Sequence, residues 1–528
     1  MSNRSQNNQE AGLAASASKR SRLRRAGVSV LLTVGSFLFA LTLAEVFLRW
    51  VVHVPGDTST KSAAPKSAVP PARSAIENAA RYVNSAPLPE SVDTHWFMDD
   101  PPALPNRGTV PPEVQRRFDD YTKRGIYAPQ SSYVWNLEFV RSQTCVAKSK
   151  IFASYPDSID VFDPIGKSPY PRFRFLPGIT HPSGLVANSF GFRGPEIVLR
   201  KPPRTIRIAF VGASATVDTH SYNASYPEWT AHWLNRWSQS RHWDVRFEVL
   251  NAGREGIGSS DIAAIVQQEV VPLDPDLILY MEGGNQFYAN AMVSSRTPRQ
   301  AITDPSLYLE HSRRVLVWLR EHFALARLVD RVFSVRVAML DEPVKPKHQL
   351  VWPDHSGGSS VDVNGQSLPL DLTTIRADLD AIGNAVHPLG GQVAISSFLW
   401  LAEPGLRLSP DRHKYIFQQL NTGLWPLTYA EIKLIANYQN QFFRKYAESR
   451  GDYFIDLAGR MPRDPDLFSD AVHMTEAGVR LQGWITFALL APTVESKIKS
   501  GEWPRPARKD LPPPPALTHY TAKIPCKV

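Results

Sequence analysis

Cysteine is nearly absent from this chain: Cys145 and Cys526 are the only two among 528 residues. That excludes a disulfide-dense scaffold, and no spacing supplies the ligand set of a structural zinc site. Long apolar runs are almost as scarce. Only one approaches spanning length, which excludes a multi-pass membrane protein. No repeat recurs at a fixed period, so solenoids and propellers are out as well. Excess charge is also localised. The formal +9 comes from 59 Lys and Arg against 50 Asp and Glu. Residues 1–25 hold Arg4, Lys19, Arg20, Arg22, Arg24 and Arg25 against Glu10 alone, a local +5. The remaining +4 is thinly spread, so no nucleic-acid surface is indicated. With 43% hydrophobic and 21% charged residues the chain is globular, not disordered.

What is present begins behind the basic tail. Residues 26–44 (AGVSVLLTVGSFLFALTLA) carry no charge, and EVFLRWVV continues the run to Val52. About twenty apolar residues suffice to cross a bilayer core. The positive-inside rule keeps 1–25 in the cytoplasm and sends everything beyond Val52 across. A cleaved signal peptide would need a shorter apolar core and a small-x-small site, of which Thr42-Leu43-Ala44 is a poor version. The expectation is a single-pass anchor at 26–48 in the cell inner membrane, with the folded part on the periplasmic, extracytoplasmic side. Both cysteines then face an oxidising compartment, where a Cys145–Cys526 disulfide and two free thiols stay open as alternatives.

Residues 54–115 contain eleven prolines among Ala, Ser and Thr and read as a stalk. Within it, 93–100 (DTHWFMDD) is aromatic enough to dock on the folded body. Residues 116–203 read as an irregular extension packing on the catalytic domain, and 493–528 as an extended, proline-rich tail. Between 204 and 492, short apolar runs alternate with amphipathic ones. Strands are predicted at 206–211, 245–250, 276–281, 392–400 and 453–458. Helices are predicted at 227–238, 261–271, 373–387 and 428–450, and one starts near Thr475. An insertion at about 286–371 interrupts the alternation. This pattern implies a parallel sheet with helices on both faces, whose ligands sit beyond the carboxyl ends of the strands.

Four polar motifs fall at those ends or before the last helix. Ser214 follows the first strand, where a serine most often caps a helix. Asn251-Ala252-Gly253-Arg254-Glu255-Gly256 follows the second, with glycines that suit a turn or a close backbone approach. Gly283-Gly284-Asn285 follows the third. Asp470 precedes His473 by three residues. His220 is a rival base, but no orienting carboxylate accompanies it. Trp229, Trp233, Trp237 and Trp243 admit a sugar-stacking reading, although helical spacing favours core packing for most of them.

Taken in order, the four motifs resemble the blocks of the SGNH hydrolase superfamily, also called GDSL esterases and lipases. The resemblance covers 204–492, and 188–195 (NSFGFRGP) is similar to membrane-anchored bacterial members. It implies a flavodoxin-like three-layer α/β/α domain with a Ser214, His473 and Asp470 triad. It also implies an oxyanion hole of Ser214, Gly256 and Asn285, with Gly253 as a competitor for the second place. Ala213, Asp218 and Gln286 depart from the usual Asp or Gly, Gly, and Asp. No cofactor or metal is implied. The expected activity is a serine esterase acting on O-acyl, first of all O-acetyl, esters of envelope carbohydrate. An O-acyltransferase using the same triad is an alternative, with a membrane acyltransferase as a candidate partner. A non-catalytic envelope binding or assembly module is another. For the topology, a reporter fused beyond Val52 is expected to be active only when exported; activity confined to the cytoplasm would refute the anchor.

Overall fold

The computed structural model describes residues 72–110, 173–175, 184–218, 223–254, 257–285, 372–409, 412–420 and 428–514, with short pieces between. Almost all of them fall in one compact unit, Pro65–Arg299 with Leu340–Val528. The expected span at 26–48, Cys145, Cys526, His220, Gly256 and nearly all of the 286–371 insertion lie outside the described residues. Among the described residues, no helix is long and apolar enough to cross a membrane.

Five strands form the central sheet: β1 (Thr205–Gly212), β2 (Arg246–Asn251), β3 (Leu277–Met281), β4 (Gln392–Ser396) and β5 (Tyr453–Ile455). Their spatial order is β2-β1-β3-β4-β5, and every pairing is parallel. That is the flavodoxin-like order. All residues of β1 and β3 are buried, as expected for central strands covered on both faces. Besides the short turns Lys414–Gln418 and Leu457–Arg460, the α-helices among the described residues are α1 (Ala72–Ala79), α2 (Ser214–Val217), α3 (Tyr226–Ser240), α4 (Ser259–Ile265), α5 (Thr373–Val386), α6 (Tyr429–Arg450) and α7 (Glu476–Lys499). Parallel crossovers are right-handed, so the β1-to-β2 connection puts α3 opposite the helices of connections running the other way. Accordingly α3 packs with α7, α4 packs with α5, and α6 lies on β4 and β5.

Local signals set the boundaries. Thr428 and Glu431 form a capping box at the start of α6, and Gly451 ends it in the left-handed region. Two predicted strands are shorter than their apolar runs. β4 stops at Ser396, because 397–400 turns away as buried loop, and 457–460 continues as a helical turn. The last helix runs past the expected domain limit of 492 to Lys499, with Pro492 inside it.

The 54–115 stalk needs a correction. From Ala72 to Asp99 it is packed, with Ala79, Val83, Ala86, Trp96 and Phe97 buried in the main core. The reason lies in the tryptophan stripe. Trp229, Trp233 and Trp237 are at most 2% exposed, so they are core and not a sugar platform. A buried indole N–H needs an acceptor. Trp233 donates to Trp96 O at 3.1 Å, Trp237 to Glu90 O at 3.0 Å and Trp484 to Val83 O at 2.9 Å. Arg480 adds bonds to Phe97 O and Asp99 O, both 2.7 Å.

The tail is extended over 504–514 but docked, not loose. Arg505 bonds Asp276 Oδ1 at 3.0 Å and the Leu389 and Pro275 carbonyls, both at 2.6 Å. Asp276 is fully buried, pairs with Lys201 at 2.8 Å and accepts from Arg207 N at 2.8 Å. Further on, Leu517–Lys523 pairs antiparallel with Ser158–Pro164, giving the tail a strand. Breaking a buried ion pair from one side strands the other charge. Asp276→Ala is therefore expected to lower stability by about 3–5 kcal/mol. Urea denaturation checks this, and a loss below about 1 kcal/mol would contradict it.

Candidate active site

At the carboxyl end of β1 the chain turns with no room to spare. A Cβ on Gly212 would lie 2.1 Å from Thr216 Oγ1 and 2.2 Å from Met281 O. Only glycine fits there. Thr216 Oγ1 donates to that Met281 carbonyl at 3.1 Å, fastening α2 to the end of β3. Ser214 opens α2 and is 8% exposed. The first N–H groups of a helix have no acceptor within it, so the Ser214 amide is left for an external one.

Asp470 and His473 occupy the turn before α7. Asp470 Oδ1 accepts from the N–H of Val472 at 2.9 Å and of His473 at 2.8 Å. Its Oδ2 lies 2.7 Å from His473 Nδ1. The three-residue spacing thus lets one carboxylate close its own turn and orient the ring. Thr475 caps α7 by accepting from Gly478 N at 3.3 Å, which anchors the turn from the other side. His473 Nε2 reaches Ser214 Oγ at 2.7 Å. Burial pushes the Asp470 carboxyl up, but His473 and the hydrogen bonds outweigh it and hold it at about 2. With Nδ1–H given to Asp470, Nε2 is the ring nitrogen that accepts from the serine hydroxyl.

Asn285 sits beyond β3, where Gly283 and Gly284 leave space for Phe398; a Cβ on either would come within 2.9 Å of that side chain. Asn285 Nδ2 donates to Ile257 O at 2.8 Å, which uses one of its two N–H bonds. Gly253 N–H is turned inward to Asn251 Oδ1 at 3.2 Å, so it is engaged and does not serve an oxyanion here. Its competitor Gly256 lies outside the described residues.

Two residues escaped the sequence reading. Arg193, from the 188–195 motif, is 1% exposed and donates to Val217 O at 3.3 Å, bracing the end of α2. Glu282, directly before Gly283, is 1% exposed and accepts from Asn285 N at 2.7 Å. Burial raises its carboxyl to about 7, against backbone N–H groups and His473, which favour the charged form. The only sequence signal was an acidic residue at the end of an otherwise apolar strand.

No protein-family model matches the chain, and no curated protein matches it significantly. Similar solved structures include a GDSL-like lipase from Bacteroides thetaiotaomicron, 12% identical, covering 55% of this chain and 88% of that one with a TM-score of 0.26. A catalytic mutant of an acetylxylan esterase from Geobacillus stearothermophilus is 14% identical over 54% of this chain and 94% of that one, with a TM-score of 0.27. An alpha/beta hydrolase from the metagenome of Lake Arreo, Spain, is 17% identical over 55% and 95%, with a TM-score of 0.27.

The Glu282 carboxyl has a pH consequence. Its folded-state value of about 7 lies above the ordinary 4.5, so the unfolded chain releases this proton first as pH rises. Stability is therefore lost between about pH 4.5 and 7, by roughly 3 kcal/mol. Glu282→Gln is expected to equal the parent protein below that window and exceed it at pH 8. Denaturation curves at the two pH values check this; parallel pH dependence in both proteins would refute it.

Proposed function

We propose that this chain is a serine esterase of the SGNH type, anchored in the inner membrane by 26–48, acting on O-acyl esters of envelope carbohydrate on the outer side. The observation that carries the reading is the hydrogen-bonded series Ser214 Oγ, His473 Nε2, His473 Nδ1 and Asp470 Oδ2, with 2.7 Å at each contact. It lies at the carboxyl ends of β1 and β3, where adjacent connections run in opposite directions and leave a crevice.

A serine hydroxyl needs an adjacent base to become a nucleophile. In the proposed reaction Ser214 Oγ attacks the acyl carbon as His473 Nε2 takes its proton. Ionised Asp470 holds the tautomer and stabilises the imidazolium. Negative charge on the carbonyl oxygen is met by Ser214 N–H, the second Asn285 Nδ2–H and Gly256 N–H. The imidazolium then gives its proton to the departing sugar oxygen, leaving an acyl ester on Ser214. Water, activated by His473, attacks that ester and restores the serine. Acetyl is the acyl group proposed, and the exported position implied by the basic tail and apolar run is what points to envelope carbohydrate.

Hydrolysis of a small acetyl ester is expected to vanish in Ser214→Ala and in His473→Ala, with circular dichroism unchanged. Asp470→Asn should keep weak activity. Asn285→Ala should lose about a hundredfold in kcat with little change in KM. Turnover surviving in folded Ser214→Ala would defeat the reading. Adding a polysaccharide acceptor to the same assay separates hydrolysis from transfer.

A further inference from the structure

Glu282 takes no part in the mechanism above, yet its position links the two loops that mechanism needs. The parallel pairing of the two strands ends at Gly212 and Met281, and Ala213 and Glu282 are the residues that directly follow them. Glu282 Oε1 holds Asn285 N–H at 2.7 Å. Backbone N–H groups of Gly283 and Ala213 also favour its charged form. Ala213 immediately precedes Ser214, and Asn285 carries the side-chain amide already bonded to Ile257 O. One buried carboxyl therefore reaches both the nucleophile loop and the asparagine loop. Backbone amides and His473, not a Lys or Arg, oppose its desolvation. A buried acid without a cationic partner costs stability, and an apolar residue there would not. Such a cost is characteristic of functional sites, where geometry is held at the expense of stability.

We propose that Glu282 is a positioning residue of the oxyanion hole: its carboxyl ties the Ser214 loop to the Asn285 loop and so sets the separation of their two donors. The kinetic consequence rests on the esterase reading; the geometric consequence does not. The role needs an acceptor oxygen and not a charge, which separates it from general acid–base chemistry and from plain packing.

Three variants of the full chain test this. Glu282→Gln keeps an acceptor of the same reach. Glu282→Ala removes it, and Glu282→Met fills the volume without one if the alanine variant does not fold. In Gln, kcat is expected within about threefold of the parent, whereas Ala or Met should lose about a hundredfold with KM nearly unchanged. Hydrogen exchange at the Asn285 amide should accelerate in Ala and Met and stay slow in Gln. Crystal structures should show the Asn285 side chain displaced from Ile257 O in the same two. Unchanged kcat and exchange in folded Ala or Met would overturn the proposal. So would a Gln variant as impaired as Ala. If the parent protein shows no Ser214-dependent turnover, the esterase reading fails, while exchange and Asn285 placement still decide the positioning role.

Discussion

The approach of β1 to β3 at their carboxyl ends is the constraint on which the site depends. Gly212 and Met281 are partners in register, and no side chain fits between Gly212, Thr216 and the Met281 carbonyl. The two loops that follow are consequently neighbours by construction. One carries Ser214 and the other Glu282 and Asn285. His473 arrives from outside the sheet, on a turn closed by Asp470 and pinned by the cap of α7. Preorganisation of this kind matters because a reacting serine gains only from groups already in place when charge develops.

A second dependence runs through the face formed by α3 and α7. Their tryptophans fill the core, and the buried indoles of Trp233, Trp237 and Trp484 each leave one N–H to be satisfied. The carbonyls of Val83, Glu90 and Trp96 supply the acceptors. The segment from Ala72 thereby joins the domain through its buried Ala79, Val83, Ala86, Trp96 and Phe97 and also through its backbone carbonyls. Hydrophobic counting does not register the latter contribution.

This explains what was legible in the sequence and what was not. The alternation of strands and helices is readable because β1 and β3 are buried on both faces and appear as unbroken apolar runs. The helix limits at Thr428 and Gly451 are readable from capping chemistry. The candidate residues Ser214, Asn285, Asp470 and His473 were legible only as a set, because four motifs that are weak singly stand in a family order, at strand ends or before the last helix. Docking of 72–100 was not legible beyond its aromatic patch, since proline content mimics a linker whether or not its carbonyls find donors. Arg505 was hidden similarly: its partner Asp276 is more than two hundred residues away and nothing local announces it. Glu282 was passed over because one charge at the end of an apolar strand has the appearance of a strand terminus.

Docking of the segment from Ala72 also bears on reach. Read from composition alone, the 62 residues of 54–115 would extend at most about 220 Å, at roughly 3.3–3.6 Å per residue. With Ala72 already committed to the body, only 19 residues separate it from Val52, a maximum of about 70 Å. For a chain anchored at 26–48 as proposed, Ala72 cannot travel farther than that from the end of its own anchor. On that proposal, a polymer lying far from the membrane would have to approach the domain, because the tether between Val52 and Ala72 is too short to carry the domain out to it.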